Sequence, residues 1–421
     1  MELLAPAGSL KKLKYALHYG ADAVYCGMPA FSLRGARANQ FNLKDLKKGI
    51  EYTKKLDKKI YLTLNIYPHN QELPLIEKHL KIVAQLKPNA LILADPGILV
   101  LTKKIIKNLP IHLSTQANCL NIQAANFWQK QGVNRIILAR ETSLREAKEI
   151  KNQTKKLELE YFGHGAMCMA YSGRCLLSAY INQQSANKGN CTQPCRWPWK
   201  LTNRLTVELE QSNKSKKKKQ TQAKFQLEQN NQETYILNSK DLCLIEYLER
   251  FRKAGIDCLK IEGRNKSLYY LVTVVKYYKQ VLDATPAQRK NIIKQALAEF
   301  DKLGNRQYTT GFALGQDPQI QNFSDSGNRS DYQMVAELTE PEFAEKVEDN
   351  NYKCYIHNAV NLGERVEAIS VDDLKTVRIK KILNHDGEER QSAHGGTDDF
   401  CYLQTSQQLS NWTILRKLKP E

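Results

Sequence analysis

Eight short apolar, β-rich runs recur along roughly the first 265 residues of this chain, and most are followed by a polar stretch patterned for a helix. They fall at residues 3–5, 23–26, 60–64, 90–94, 111–114, 135–139, 157–162 and 258–262. Between them, segments such as Leu10-Lys11-Lys12-Leu13-Lys14-Tyr15-Ala16-Leu17 place apolar residues at three- and four-residue steps. Eightfold strand-helix alternation over that length predicts a (β/α)8 barrel of TIM type. A doubly wound open sheet is the runner-up, but no Gly-x-Gly-x-x-Gly turn follows the first run to support it.

A barrel of this kind places its chemistry at the C-terminal strand ends. The residues just past each run are therefore candidates by position: Asn65, Asp95, Thr115-Gln116-Ala117-Asn118, Arg140-Glu141, Gly163-His164-Gly165 and Glu262-Gly263-Arg264. The seventh and eighth runs are separated by far more chain than one crossover helix needs. The expected organisation is a barrel over 1–310, interrupted by an insertion at 163–257, then a linker at 311–332. Within the insertion, Lys214 and Lys216 to Lys219 open a polar, low-complexity stretch that reads as a solvated loop. From 333 to 421, short alternating runs separated by turns such as His385-Asp386-Gly387 predict a small C-terminal β-barrel.

Of the ten cysteines, five lie between Cys168 and Cys243. No apolar stretch approaches the ~18 residues of a membrane span and no secretory signal opens the sequence, so a cytoplasmic protein with reduced thiols is expected. Clustered cysteines in that setting are more often metal ligands than disulfides. Cys168 and Cys175 follow the seventh run directly, Cys191 and Cys195 lie further on, and Cys243 sits near the end of the insertion. A zinc ribbon would want two close pairs, and only Cys191-x3-Cys195 approximates one. Irregular gaps suit an iron-sulfur cluster whose thiolates come from different loops, while zinc and redox cysteines remain open on spacing alone.

Several stretches together carry a resemblance: Glu2-Leu3-Leu4-Ala5-Pro6-Ala7-Gly8-Ser9, Tyr19-Gly20-Ala21-Asp22-Ala23-Val24-Tyr25, Ser32-Leu33-Arg34, Leu113-Ser114-Thr115-Gln116, the block from His164 to Ser178, and Lys260-Ile261-Glu262-Gly263-Arg264. They are similar to the peptidase U32 family over residues 1 to about 310. Its members were first described as collagenase-like proteases. Better-understood relatives are oxygen-independent hydroxylation proteins that carry a [4Fe-4S] cluster and act on ubiquinone precursors, ribosomal RNA or the wobble uridine of tRNA. The ubiquinone-pathway members stop near the barrel's end and the ribosomal-RNA member is much longer. A barrel with one small β-domain resembles the group that makes 5-hydroxyuridine at tRNA position 34 and depends on prephenate.

The resemblance implies Cys168, Cys175, Cys191 and Cys243 as cluster ligands, with Cys195 outside the set, and the tRNA anticodon loop and prephenate as partners. The chain departs from the family at Ala38-Asn39-Gln40-Phe41, at Asn305-Arg306-Gln307 and in the Lys-rich insertion, none of which touches those ligands. For a co-substrate with carboxylates, Arg140, Arg174 and Arg264 are the expected cationic clamps. Glu262 and His164 are the candidates for proton transfer, and Gln116, Asn65 and Tyr171 for substrate contact. Tyr25, Tyr67 and Trp197 are further stacking candidates.

The peptidase alternative has no Gly-x-Ser-x-Gly and no His-Glu-x-x-His to support it, though Cys168 or Cys175 could pair with His164. A third class is a nucleic-acid-binding protein in which the cluster is structural. Sixty-three Lys plus Arg against 44 Asp plus Glu leave a net charge of +19, which favours a polyanionic partner, most simply nucleic acid, the alternative being a generic basic surface. The Lys-rich loop supplies only part of that charge.

Overall fold

The structure is a computed structural model that describes residues 1–27, 41–187, 191–197, 238–315, 320–322, 330–338, 350–395 and 400–420. Ser32-Leu33-Arg34, residues 38–40 and the Lys-rich loop lie outside the described residues.

The eight runs become barrel strands. In chain order the large domain is β1 Glu2–Pro6, α1 Leu10–His18, β2 Ala23–Gly27, α2 Leu43–Lys55, β3 Lys59–Leu64, α3 Leu73–Leu86, β4 Ala90–Leu93, α4 Pro96–Ile105, β5 Ile111–Leu113, α5 Ile122–Lys130, β6 Arg135–Ile137, α6 Leu144–Gln153, β7 Glu158–Ala166, α7 Leu177–Asn182, β8 Asp241–Cys243, α8 Leu248–Lys253, β9 Cys258–Ile261, α9 Leu268–Asp283, α10 Pro286–Asp301 and β10 Tyr308–Thr309. Parallel pairing runs from β1 through β7, then β7 to β9 and β9 back to β1, which closes eight strands into the predicted barrel. Side-chain caps start the helices where the sequence offers them: Ser9, Asn42, Asp95, Asn121, Ser143 and Ser267 each accept a backbone N–H of the first turn.

Alternation decides which side chains enter the barrel. On β7 and β9, Glu160, Phe162 and Lys260 form one set, with Lys260 Nζ 2.8 Å from Glu160 Oε1 and 5.9 Å from the Phe162 ring centre. Arg135 joins them, bonded to Glu2 at 2.7 Å and to Glu160 at 3.4 Å, so the buried charges are paired.

β7 is long, and its register slips between Phe162 and His164. Past that bulge the strand continues beyond its neighbours and receives β8 antiparallel, with β10 alongside β8. This annex was not among the sequence expectations, because each of its strands is too short to show a period. Glycine is required within it. At Gly165, φ is +122° and a Cβ would stand 2.8 Å from the Glu262 carbonyl oxygen.

The second domain comprises β11 Tyr332–Leu338, β12 Asn351–Ile356, β13 Val360–Asn361, β14 Arg365–Ile369, β15 Leu374–Leu383, β16 Ser392–Ala393, β17 Phe400–Thr405 and β18 Ile414–Leu418. Six of these close an antiparallel barrel in the order β11-β12-β17-β15-β14-β18, and β13 pairs with β16 as a separate hairpin. Its interior holds Val335, Val366, Val377, Ile379, Leu403 and Leu415. The two barrels meet along α1 and α9. Tyr15 donates to Leu338 O at 3.0 Å, Tyr19 to Ile369 O and Trp412 O at 2.8 and 2.9 Å, and Lys276 Nζ to Ser370 O and Asp373 O at 2.7 Å. Arg416, fully buried, completes the joint. Among the described residues no helix is long and apolar enough to cross a membrane.

Candidate active site

The C-terminal ends of β3, β5, β6 and β9 carry a group of buried polar side chains. Arg140, just past β6, bonds Glu262 and Ser172 and lies 4.2 Å from the Phe162 ring centre. Burial opposes its charge, but Glu262 and then Cys168 outweigh that and hold the guanidinium above its ordinary value. Arg264 reaches Thr63 Oγ1 at 3.2 Å and stands 5.7 Å from the Tyr25 ring. Asn65 donates to Ser114 Oγ at 3.3 Å, and Tyr67 donates to Gln116 O at 2.8 Å.

Among the described residues, Asn65 Oδ1, Thr115 Oγ1, Gln116 Nε2, both amide atoms of Asn118 and Arg140 Nε are buried without a hydrogen-bond partner. A native interior pairs nearly all such groups, so their concentration at the strand ends marks a place built to receive polar atoms. The Gln116 amide also lies against Gly173, which ties the β5 strand end to the segment bearing Cys168 and Cys175.

That segment leaves β7 at Ala166. All ten cysteines are free thiols. Burial raises the Cys195 pKa, Arg196 draws it down, and Cys168, Cys191 and Cys175 push it up again, so these four thiols share one neighbourhood. Along the β7–β8 ladder Ala166 opposes Asp241 and His164 opposes Cys243. Its sulfur lies 3.9 Å from Tyr278 Oη, and burial pushes the thiol up to about 12. Cys195 thus lies within electrostatic reach of Cys168, Cys175 and Cys191, although the resemblance leaves it out. Among the described residues no three His, Cys, Asp or Glu side chains stand at metal-binding distance. The donor chemistry nevertheless suits a soft metal group. Cys191 Sγ accepts the Gln193 backbone N–H at 3.4 Å and Cys243 accepts that of Ile245, the kind of N–H···S bond that tunes ligating thiolates.

Glu262 N–H donates to His164 O at 2.8 Å, but the two side chains do not meet. His164 pairs with Ile261 past the bulge, so its ring points away from the Arg140–Glu262 pair. It sits instead among Tyr270, Tyr278, Phe300 and Tyr308, with ring centres 4.9–5.8 Å away. Burial pulls its pKa down to about 3, so the imidazole is neutral at pH 7 and has no proton to give as imidazolium. The sign of its effect on stability follows. Above about pH 6.5 both states are neutral; below it the unfolded chain takes up a proton that the folded chain refuses. Stability is therefore expected to fall with pH between about 6.5 and 3, and H164F to flatten that limb in pH-dependent urea unfolding.

Of the remaining expected residues, Arg174 and Tyr171 are exposed on the cysteine segment, and Tyr67 interacts with Arg174. Tyr25 belongs to the core. Met169, Leu176, Tyr180 and Trp197 add further exposed apolar surface to the same segment.

The sequence reading missed Asp241, Lys266, Arg196 and Arg306. Asp241 bonds Arg306, and a narrow crevice beside it is lined by His164, Gly165, Asp241, Lys266, Tyr270, Gly304, Asn305 and Tyr308. Arg196 directly follows Cys195 and Asp241 stands two residues before Cys243, so adjacency to cysteines was the available signal.

A family model described as Peptidase family U32 matches residues 8–322. The chain belongs to the peptidase U32 family. Among the relatives of this U32 protein, tRNA hydroxylation protein P of Haemophilus influenzae is 37% identical over 99% of this chain and 96% of its own. tRNA hydroxylation protein P of Escherichia coli is 37% identical over 94% of this chain and 91% of its own. A solved U32 peptidase aligns over 45% of this U32 chain and 76% of its own, at 12% identity and a TM-score of 0.37.

Proposed function

We propose that this protein converts the wobble uridine at tRNA position 34 to 5-hydroxyuridine without molecular oxygen, using a [4Fe-4S] cluster as resident group and prephenate as co-substrate. The observation that carries the reading is the reach of the similarity. Two relatives named tRNA hydroxylation protein P match 99% and 94% of the chain, so the likeness extends through the second barrel. A net charge of +19 suits an RNA substrate, with the anticodon loop as the part presented to the barrel.

On the resemblance, Cys168, Cys175, Cys191 and Cys243 would hold the cluster. Cys195, within electrostatic reach of Cys168, Cys175 and Cys191, is the alternative for the fourth position. When bound, the cluster supplies electron transfer and an iron site for an oxygen-bearing metabolite. The chain's own groups do the rest. Arg140 fixes Glu262 at the mouth, and Gln116 Nε2, Asn65 Oδ1 and both amide atoms of Asn118, unpartnered among the described residues, offer donors and acceptors to a base drawn out of its stack. Arg174 and Tyr171 lie exposed where RNA would approach.

Peptide hydrolysis finds less support in the site. His164 is neutral and enclosed, and Cys243, which opposes it, is held as a thiol rather than a nucleophilic thiolate.

On the ligand set carried by resemblance, C243A is expected to lose iron on anaerobic reconstitution and C195A to keep it. The reverse result assigns the fourth position to Cys195. The function itself is tested by mass spectrometry of tRNA nucleosides from a deletion strain that lacks any oxygen-dependent uridine hydroxylase. Loss of 5-hydroxyuridine derivatives is expected, and unchanged levels reject the reading.

A further inference from the structure

We propose that the outward sheet face of the small barrel, formed by β12, β17 and β15, binds unpaired RNA, with Tyr355 stacking on a base and Lys353, Lys380 and Lys381 meeting phosphates. The proposal rests on the function given above for the identity of that RNA, and it adds where the nucleotides beyond the target are held.

Alternation separates the two faces of these strands. Tyr352 opposes Leu403 and Cys354 opposes Cys401 on the inner side, where Cys354 and Leu403 are fully buried in the barrel's core. Lys353, opposite Tyr402, and Tyr355, opposite Phe400, therefore stand on the outer side. Phe400 meets Tyr402 edge-on there, with ring centres 5.6 Å apart, and Lys353 Nζ lies 3.6 Å from the Phe400 ring centre. Tyr355 is the most exposed ring of the set. On β15 the ladder to β17 slips between Ile379 and Lys381. Ile379 and Ile382 both enter the core, which leaves the two lysines between them together outside.

The charge on this face is one-sided. Among the described residues Lys353 and Lys380 have no acidic partner. Lys381 bonds Glu389 at 2.5 Å with both side chains exposed, and such a pair is weak enough to yield to a phosphate. Glu337, on the neighbouring β11, is buried and already held by Lys11. Aromatic rings interleaved with lysines suit a strand of nucleotides, because every base has a face that can stack and every linkage carries a phosphate. A duplex hides those base faces, so the unpaired form is the one that fits.

The face also adjoins the mouth of the large barrel. Lys11, at the start of α1, stands 4.7 Å from the Tyr355 ring centre. The next residue, Lys12, bonds Lys266 O at 2.7 Å in the loop that follows β9 and carries Arg264. An RNA whose target base enters the mouth can therefore continue past that loop onto Tyr355.

The test is fluorescence anisotropy on the anaerobically reconstituted full-length protein with two labelled probes, a tRNA transcript bearing uridine at position 34 and a short oligouridine. The wild type is expected to bind both, and Y355A to bind each at least about fivefold more weakly. K353M is expected to bind more weakly and to lower the slope of log affinity on log salt by about one, with melting temperature and iron content unchanged in both variants. Should Y355A lower the melting temperature by losing its contact with Lys11, K353M carries the comparison. If the wild type binds the transcript and both variants bind it equally well, the face is overturned and the tRNA reading stands. If the wild type binds oligouridine but not the transcript, and the variants lose oligouridine, the face stands and the tRNA reading falls. If neither RNA binds, the face is overturned; a wild type that self-associates on gel filtration, beside a Y355A that does not, then gives the face to a second copy of this chain.

Discussion

Changing Cys175 to alanine is expected to abolish both iron retention and tRNA hydroxylation while leaving the fold intact. The thiol lies half-buried on the cysteine segment and belongs to neither barrel core, so truncation to alanine should cost no more than a typical surface substitution, about 0.5 kcal/mol. Its chemical weight is far greater. A [4Fe-4S] group takes four protein ligands, and removing one both opens an iron to solvent and withdraws a negative charge that balances the metal. Anaerobically reconstituted wild type is expected to be brown with about four iron per chain, and C175A colourless with less than about one. In cells, 5-hydroxyuridine should vanish from tRNA in the C175A strain. A variant that lost iron yet still hydroxylated tRNA would show that the chemistry does not need the cluster. A colourless, zinc-loaded wild type would dismiss the iron-sulfur reading altogether.

The second large effect concerns the joint between the barrels. Arg416 on β18 is wholly buried and bonds three groups at once: Glu299 of α10 at 2.6 Å, Glu367 of β14 at 2.5 Å, and the Tyr269 hydroxyl of α9 at 2.5 Å. R416M keeps most of the side chain's volume but leaves Glu299, whose side chain is only 7% exposed, with Lys302 Nζ at 2.8 Å as its remaining cation. Breaking one partner out of a buried pair typically costs about 3–5 kcal/mol when the other charge stays behind unsolvated, and Lys302 beside Glu299 should hold the cost here to about the lower end. Calorimetry is therefore expected to show the melting transition of R416M several degrees lower. Adding E299Q should recover part of the loss by removing the stranded charge, and an unchanged transition in R416M would mean that the pair contributes nothing. R416K is expected to fall between, since an ammonium cannot span three partners as a planar fork does.

The barrel was legible because each of its eight strands is apolar enough to register as a run, and because helix patterns of the right length separate them. The small barrel was legible by the same alternation. β8 and β10 were not, since three- and two-residue strands carry no period and their pairing is set by the overrun of β7. At the site, position relative to a strand end found Arg140, Glu262, Asn65 and Gln116, all of which the structure places at the mouth. Position misjudged the direction of His164, because a one-residue slip between Phe162 and His164 decides the face and sequence shows no bulge. Arg306 and Asp241 escaped notice because their significance lies in a pairing across 65 residues of chain.

The way the barrels are fastened bears on how such a protein tolerates change over time. Arg416 aside, the bonds from Tyr15, Tyr19 and Lys276 all run from side chains of the large barrel to main-chain carbonyls of the small one. A carbonyl is present whatever residue bears it. The small barrel can thus change side chains at Leu338, Ser370 and Asp373 without forfeiting those bonds, whereas Trp412, stacked on His18 with ring centres 4.1 Å apart, and Ile369 also pack into the large barrel's core. Bonds to main-chain carbonyls let this part of the joint outlast side-chain changes on the small barrel, while Arg416 and the Lys11–Glu337 pair depend on side chains on both sides.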